Sequence, residues 1–306
     1  MFILIYCILY PISLLPMPLL HLMGDFIYLI VYHIVGYRKE VVRNNLRNSF
    51  PDWDEKKMRQ TEKRYYHHLC QLLVEGVKML SMSRRQVMRR YRCTNPEILQ
   101  PYFDNGQSVI LMSAHYNDWE WMVLSLEMQL PHHGIGVGKA NTNKSFEHII
   151  NKFRTRYGTE VVFADHVRER MKDYFEQGRP CAYMMLSDQT PASANRAYLL
   201  PRFLNQPTDM IYGSEYFAKK YHFPVLYYRV KRLRKGFYEW TLEKITDQPD
   251  EAPYGSIIET YASKLQRDIE NEPACWLWSH KRWKHKEQVK VMLEERRREY
   301  EESLTT

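Results

Sequence analysis

Two uninterrupted apolar runs mark the middle of the chain. Ser108–Ala114 and Pro180–Leu186 contain no charged residue, which is typical of strands buried on both faces of a parallel sheet. Helical periodicity and further short strand patterns alternate around them, which predicts an α/β fold with a mixed, mostly parallel sheet flanked by helices. The predicted helices are Trp119–Leu130, Ser145–Tyr157, Val167–Gln177, Tyr212–Tyr221 and 255–271, and the further strands are Gly134–Lys139, Glu160–Ala164, Pro224–Lys231 and Phe237–Ile245, the last two as a hairpin.

The first 37 residues are apolar and carry a single charged side chain, Asp25. A membrane-spanning helix needs about 20 apolar residues, and this segment is long enough. Pro11, Pro16 and Pro18 interrupt the hydrogen bonding of a continuous helix. We therefore predict a membrane anchor over residues 1–37, in the form of a bent helix, a short hairpin or an embedded interfacial segment.

A cluster of basic residues follows directly, with Arg38, Lys39, Arg43 and Arg47. Basic residues beside an apolar segment favour the cytoplasmic side of a membrane, so we expect the rest of the chain to face the cytoplasm. The alternative is that residues 1–36 form two buried helices of a soluble core.

The remaining chain divides into three further parts. Apolar residues at three- and four-residue spacing, for example Leu69, Leu72 and Leu73, predict a helical collar over residues 38–95. The α/β domain follows, and a very polar helix with alternating charges ends the chain. The predicted boundaries of these two parts are 96–283 and 284–306.

Composition narrows the range of partners. The 306 residues carry 44 Lys and Arg against 36 Asp and Glu, and this net charge of +8 attracts anionic phospholipids, phosphorylated glycolipids or acidic carrier proteins. The basic residues are interspersed with acidic ones and no known nucleic-acid-binding module is visible, so we expect no nucleic-acid partner. Five cysteines without a C-x-x-C pair argue against a disulfide framework and a zinc site. We expect neither a metal nor a cofactor.

The candidate chemistry lies directly after the first buried strand, in the segment His115-Tyr-Asn-Asp-Trp-Glu120. The carboxyl edge of a parallel sheet is where α/β proteins place their ligands. On one continuous helix, residues five apart point about 140° away from each other, so His115 and Glu120 can meet only across a strand-to-helix turn. We predict that Glu120 fixes the tautomer of His115, which acts as a general base. The alternative is a partly buried histidine bonded to the backbone.

This segment resembles the H-x4-[DE] motif of the lysophospholipid acyltransferase superfamily, and the rest of the chain resembles its lipid A late acyltransferase (lauroyl/myristoyl acyltransferase) branch. The resemblance implies a glycerolphosphate-acyltransferase-like fold. It also implies transfer of an acyl group from an acyl carrier protein, or from acyl-CoA, to a hydroxyl of a lipid A precursor at the bacterial inner membrane. The further matching segments are Arg43–Pro51, Lys139–Asn143, Arg154 or Arg156 with Gly158, Ser187–Gln189, Pro201–Thr208 with Gly213, and Pro273–Lys284.

The same resemblance suggests substrate-binding residues. Lys139, Arg154, Arg156 and Arg202 are candidates for holding the phosphates of the glycolipid or of the carrier's prosthetic arm. For each of them, a solvated surface charge is the alternative. Asp188 stands at a predicted strand end, where it would position the acceptor, order the basic residues or cap a helix.

One departure from the family pattern concerns the backbone. Leu204-Asn205 stands where the family has Phe-Gly. Because both residues carry a Cβ, we expect the backbone there to reach positive φ less freely than with glycine.

Two other functions remain open from the sequence. The first is acylation of a lysophospholipid or of an amino-acid-containing lyso-lipid by the same chemistry. The second is a non-catalytic membrane protein whose basic face binds lipid. Loss of function on replacing His115 separates an enzyme from such a scaffold.

Overall fold

The computed structural model describes residues 4–140, 143–192 and 197–303 of the chain. The strands are β1 (Tyr91–Cys93), β2 (Val109–Ser113), β3 (His133–Gly138), β4 (Glu160–Phe163), β5 (Cys181–Leu186), β6 (Ala197–Phe203), β7 (Gln206–Ile211), β8 (Val225–Arg234) and β9 (Phe237–Thr246). The helices are α1 (Tyr10–Leu14), α2 (Met17–Tyr28), α3 (Lys39–Ser49), α4 (Glu55–Met79), α5 (Arg84–Arg90), α6 (Gln100–Asp104), α7 (Trp119–Gln129), α8 (Lys144–Arg154), α9 (Val167–Glu176), α10 (Gly213–Tyr221), α11 (Ser256–Asn271) and α12 (Lys286–Ser303). Two π-helical segments, Leu4–Leu9 and Leu29–Val35, flank α1 and α2.

The central sheet has seven strands in the order β1-β9-β8-β2-β5-β3-β4. The five strands from β8 to β4 run parallel to one another, and β9 pairs with β8 in an antiparallel hairpin. β1 adds to the outer edge of β9 in parallel. The predicted fold, a mixed and mostly parallel sheet flanked by helices, is confirmed.

The central strand β2 separates two hydrophobic cores. Val109 and Leu111 contribute to one core, and Ile110 and Met112 contribute to the other. Side chains alternate between the two faces of a strand, so a strand covered by helices on both sides has to be apolar at every position. All residues of β2 are buried, which explains the uninterrupted apolar run in the sequence.

Two features of the fold differ from the sequence prediction. Residues 38–95 are not helical throughout, because Tyr91–Cys93 forms the edge strand β1, which pairs with β9. The hairpin of β6 and β7 was not predicted, and it forms a separate two-stranded sheet. Polar residues and prolines interrupt the apolar pattern in this hairpin, so its sequence gives a weak strand signal.

The turn between β6 and β7 has positive φ angles at Leu204 and Asn205, which the sequence analysis did not favour. Leu204 has φ 48° and Asn205 has φ 60°, so both adopt the left-handed conformation in spite of their Cβ atoms. Tertiary contacts hold them there. The backbone N–H of Leu204 donates to Oε1 of Gln266 at 2.9 Å, and the Asn205 side chain donates to the Ser49 carbonyl oxygen at 2.9 Å.

The N-terminal segment is helical and bent. An extended backbone at Leu15 and Pro16 separates α1 from α2, which agrees with the predicted bend. Within the described part of the chain, Met17–Val35 is the stretch with the length and composition to cross a membrane. Its outward side chains are strongly exposed, with Leu22 at 64% and Phe26 at 63%, so this apolar face is not covered by the rest of the fold.

Polar side chains of α4 bind the inner face of this segment. Lys78 donates to the carbonyl oxygens of Ser13 at 2.8 Å and Leu15 at 3.0 Å, both at the break between α1 and α2. One turn earlier, Glu75 lies 2.9 Å from the ring of His21. A helix end leaves its last carbonyl oxygens without intrahelical donors, and buried carbonyls need partners. Lys78 supplies that partner and fixes the bend against α4.

We expect Lys78→Met to lower the free energy of unfolding by about 1–3 kcal/mol, since one buried and one partly buried carbonyl oxygen lose their charged donor. The measurement is denaturant unfolding in detergent micelles, together with limited proteolysis near Ser13. Lys56→Met removes an exposed lysine from the same helix and is the matched control. Equal stability of the two variants would contradict a role for Lys78 in fixing the bend.

Candidate active site

His115 and Asp188 each follow the end of one of two neighbouring parallel strands. β2 ends at Ser113 and β5 ends at Leu186, and these terminal residues are partners in the sheet register. The backbone N–H of Ser187 donates to the Ser113 carbonyl oxygen at 3.0 Å, which extends the pairing beyond the strands. His115 and Asp188 therefore emerge side by side at the carboxyl edge of the sheet.

Asp188 holds both the ring and the backbone of His115. Oδ1 of Asp188 lies 2.8 Å from Nδ1 of His115, and Oδ2 accepts the His115 backbone N–H at 3.1 Å. A carboxylate at Nδ1 favours the tautomer that carries its proton on that nitrogen, which leaves the lone pair on Nε2. The side-chain amide nitrogen of Gln189 lies 3.2 Å from Nε2. The His115 side chain is 20% exposed, so a substrate can reach it.

Asp188 is buried but ionised. Burial opposes the ionisation of Asp188. The charge and hydrogen bonds of His115 outweigh this effect, and the indole N–H of Trp276 donates a further hydrogen bond at 2.9 Å. The pKa of Asp188 is therefore held below its usual value. A carboxylate that stays charged stabilises the imidazolium that forms when His115 takes a proton. Asp188 therefore orients the imidazole and keeps a negative charge behind it.

The C-terminal part of the chain completes the loop that carries His115. Tyr116 and Trp276 form an antiparallel bridge, and the backbone N–H of Leu277 donates to the His115 carbonyl oxygen at 3.1 Å. The indole of Trp276 also reaches Asp188. The backbone and the Trp276 side chain of the C-terminal segment thus hold His115 and Asp188 in place from one side.

Glu120 has a partner other than the predicted one. It lies in the first turn of α7, where both carboxylate oxygens accept from Arg154, with Nε to Oε2 at 2.7 Å and Nη2 to Oε1 at 2.6 Å. Such bidentate pairs are strong and geometrically specific. The expectation that Glu120 fixes the tautomer of His115 is wrong in this geometry, because Asp188 occupies Nδ1 and Arg154 of α8 binds Glu120.

The predicted strand-to-helix turn after His115 is present. Asn117 has φ 60°, and its side-chain amide donates to the Val230 carbonyl oxygen at 3.1 Å. Asp118 caps α7 by accepting the backbone N–H of Trp121 at 2.9 Å, as its residue type predicts. Burial, followed by the negative charge of Glu75, raises the pKa of Asp118 well above its usual value. The turn is therefore held by buried polar contacts.

An apolar groove of about 290 Å³ begins beside this turn. Residues 117–120, which begin two positions after His115, form its polar end together with Arg154. A cavity close to 300 Å³ with few polar groups is typical of a small-molecule site. Its apolar walls come from the N-terminal segment, α4, the turn after it and α8, through Leu9, Leu69, Leu72, Leu73, Gly76, Val77, Met79, Leu80 and Ile150.

Arg156, the next candidate for substrate binding, is hydrogen-bonded to the backbone of the fold. Its guanidinium donates to the carbonyl oxygen of Leu80 at 2.9 Å and to that of Met82. These contacts bind the loop between α4 and α5 to the loop after α8. The bonds of Arg156 to the fold leave Arg154 as the arginine of this segment that lies at the groove.

Lys139 and Arg202 lie apart from each other. Lys139 is exposed at the carboxyl end of β3, which is two strands from β2 at the same sheet edge as His115. Arg202 is exposed on β6 of the separate hairpin and donates to the side chain of Asn205. Residues 141 and 142 of the matching segment Lys139–Asn143 lie outside the described residues.

Sequence reasoning gave no role to the buried polar residues of the C-terminal segment. The guanidinium of Arg282 is fully buried and pairs with Asp209 of β7 at 2.7 Å. Nε2 of His280 lies 3.4 Å from the backbone N–H of Thr190, just after Asp188 and Gln189. The signal in the sequence was the alternation of tryptophan, histidine and arginine at two-residue spacing, which is typical of an extended segment.

The arrangement determines what chemistry this edge can support. Nε2 of His115 is a base with an ionised carboxylate behind it, and it lies next to a turn that opens into an apolar groove. Across residues 4–140, 143–192 and 197–303, no three His, Cys, Asp or Glu side chains are grouped so that they could hold a metal ion. The site can take a proton from a hydroxyl group held beside an apolar chain.

The comparison with protein families agrees with this chemistry. Residues 1–285 match the family model described as bacterial lipid A biosynthesis acyltransferase. The match includes the N-terminal segment, both members of the His115–Asp188 pair and the segment through Arg282. No match is found among curated proteins.

We expect the protein to lose stability between about pH 6.5 and pH 4, in part because of His280. Burial lowers the pKa of His280 to about 4, whereas the unfolded chain binds this proton near 6.5. The contribution of neutral His280 to the free energy of unfolding is fully present above the unfolded-state pKa. It is lost as the pH falls through the folded-state pKa. His280→Gln keeps an acceptor for Thr190 and should reduce this loss by at most about 3 kcal/mol.

The measurement is denaturant unfolding in detergent micelles at about pH 7 and pH 4 for both proteins. Because His68 and His132 also have pKa values lowered by burial, only the difference between wild type and His280→Gln is assigned to His280. The same loss of stability in both proteins would contradict the assignment.

Proposed function

This chain belongs to the family of bacterial lipid A biosynthesis acyltransferases, and we propose that it transfers a fatty-acyl group from an acyl-carrier thioester to a hydroxyl of a lipid A precursor, as a late step of that pathway. Family membership makes the chain an acyltransferase. The observation that carries the proposal is the His115–Asp188 pair at the sheet edge, beside an apolar groove.

In the proposed mechanism, His115 is the general base. Its Nε2 takes the proton of the acceptor hydroxyl as the hydroxyl oxygen attacks the thioester carbonyl carbon. The tetrahedral intermediate then expels the thiolate, which receives the proton from the imidazolium. An ester and a free thiol result. Asp188 acts through His115, since its charge stabilises the imidazolium formed between the two steps.

We assign Glu120 a positioning role. From the sequence we had expected it to fix the tautomer of the general base, His115. Its bidentate bond to Arg154 joins the start of α7 to the end of α8, and both residues line the polar end of the groove. The acyl chain of the donor is proposed to lie in that groove, with its thioester towards His115. The apolar lining and the position next to the turn support this placement.

We place the protein at the inner membrane, with its catalytic domain on the cytoplasmic face. The exposed apolar face of Met17–Val35 and the basic residues that follow support this orientation. An acyl carrier protein is the proposed donor, and acyl-CoA is the alternative. The net charge of +8 favours an acidic donor protein or an anionic lipid at the surface.

We expect His115→Ala to lower kcat about 10²–10⁴-fold, the usual contribution of a general base. The assay uses the purified protein, acyl-carrier thioesters and a lipid A precursor, with mass spectrometry of the product. His148→Ala removes an exposed histidine on α8 and should retain full activity. Retained turnover in His115→Ala would refute the mechanism, and acylation of a lysophospholipid in place of the lipid A precursor would refute the acceptor.

Two further variants in this assay separate the roles of the carboxylates. Asp188→Asn should lower kcat with little change in KM, because it removes the charge behind His115. Glu120→Gln should chiefly raise KM for the donor, because it breaks the bidentate bond with Arg154 at the groove. A pure loss of kcat in Glu120→Gln would assign Glu120 to the proton transfer instead.

We expect Gly76→Leu to shift donor preference towards shorter acyl chains. Gly76 lies on the groove wall, and a Cβ added there meets no atom within 4 Å, so a larger side chain fills the groove and not the core. The measurement is the ratio of kcat/KM for long and short acyl-carrier thioesters. Met88→Leu, at an exposed helix position outside the groove lining, is the control. An unchanged ratio in Gly76→Leu would exclude the groove as the acyl site.

A further inference from the structure

A second and larger cavity, of about 800 Å³, lies between α4 and the β8–β9 hairpin. Lys63 and His68 line it from α4, and Lys231, Arg232 and Arg234 line it from β8. We call it the basic cleft. Its volume lies within the range of small-molecule sites, and it is distinct from the apolar groove, although Asn117 lines both.

The positive charge of the basic cleft is only partly neutralised. Seven Lys and Arg residues line it, against the two carboxylates of Asp268 and Glu272. These carboxylates pair with Arg229 at 2.9 Å and with Arg64 at 3.0 Å. Among the described residues, four other cations of the cleft have no carboxylate within 4.0 Å: Lys63, Lys231, Arg232 and Arg234. The cleft therefore keeps an excess of positive charge that attracts an anion.

His68 and Arg232 add buried donors to this excess. Nη1 of Arg232 lies 2.9 Å from Nδ1 of His68, which accepts from it. Burial, followed by the charge of Arg232, lowers the pKa of His68 well below its usual value, so the neutral ring carries its proton on Nε2. This Nε2 and the Nε and Nη2 of Arg232 have no acceptor in the part of the chain that the structure describes. Anionic oxygens would satisfy such donors.

The basic cleft lies next to the apolar N-terminal segment. Tyr28, the last residue of α2, forms part of its lining. Leu22 and Phe26 on the same helix expose their side chains by more than 60%. The cleft therefore borders an exposed apolar face, an arrangement that suits the charged headgroup and the apolar chains of one lipid.

The basic cleft also shares a loop with the candidate active site. Tyr116 and Asn117, the two residues after His115, form one of its walls. The hydroxyl of Tyr116 donates to the Asp268 carbonyl oxygen at 3.0 Å, which fixes this wall to α11. A lipid bound in the cleft by its headgroup is thereby held next to the loop that carries the base.

From these contacts we propose that the basic cleft binds a phosphate group on the headgroup of the acyl-acceptor lipid. The proposal rests on the proposed function, because it assigns the binding site of that acceptor. Lys63 of α4 and Lys231 of β8 line the cleft as exposed lysines, and Arg232 adds a guanidinium whose Nε and Nη2 have no acceptor among the described residues. A concave site beside an apolar helix fits a lipid headgroup better than the broad surface of a carrier protein.

The test is equilibrium binding of the full-length protein in neutral detergent micelles, without an acyl donor. The probes are a phosphorylated lipid A precursor and the same lipid after phosphatase treatment. We expect at least tenfold tighter binding of the phosphorylated form, and about tenfold weaker binding of it by the double variant Lys63→Ala, Lys231→Ala. The matched control, Lys56→Ala with Lys172→Ala, removes two exposed lysines elsewhere and should change Kd less than twofold.

Other outcomes overturn the proposal. Equal binding of the two glycolipids, or an unchanged Kd in the cleft variant, excludes a phosphate site there. Binding of phosphatidylglycerol as tightly as the glycolipid, or full competition by equimolar inorganic phosphate, excludes the acceptor headgroup as the ligand. The binding assay contains no donor, so its result does not depend on catalysis. Selective binding here, together with no acyl transfer in the separate activity assay with donor, refutes the proposed function alone. Acyl transfer that is independent of the acceptor's phosphate refutes the cleft proposal alone.

Discussion

The candidate site depends on one buried carboxylate. Asp188 accepts hydrogen bonds from the ring and the backbone of His115 and from the indole of Trp276. A buried charge is costly unless donors compensate it, and here three donors from two other parts of the chain do so. The requirement to satisfy this one group therefore fixes the end of β5, the loop after β2 and the C-terminal segment relative to one another.

The sequence predicted the sheet and the position of His115 because both have local signals. Seven-residue apolar runs identify central strands, and a histidine directly after such a run lies at the carboxyl edge. Local sequence does not determine which carboxylate bonds to His115, because that depends on which strands are neighbours in the sheet. β2 pairs with β5, so Asp188 comes into register although 73 residues separate it from His115. Glu120, five residues away, was the nearer carboxylate in sequence but not in space.

The hairpin of β6 and β7 illustrates the same limit. Its turn places Leu204 and Asn205 at positive φ, a conformation that leucine disfavours and that asparagine adopts more readily. Contacts from Ser49 and Gln266, distant in the sequence, stabilise that conformation. Local preference thus yields to tertiary hydrogen bonds, and a prediction from neighbouring residues alone has no access to them. The buried pair of Arg282 and Asp209 escaped prediction for the same reason.

The bridge between Tyr116 and Trp276 has a consequence for biosynthesis. A nascent chain leaves the ribosome from its N-terminus, so the apolar segment emerges first and Trp276 emerges after most of the fold. Until then, the carboxylate beside His115 lacks one donor and the loop lacks its outer strand. The stretch with the length and composition to cross a membrane is therefore synthesised before the candidate site can be completed. A nascent chain released before Trp276 would carry an incomplete site.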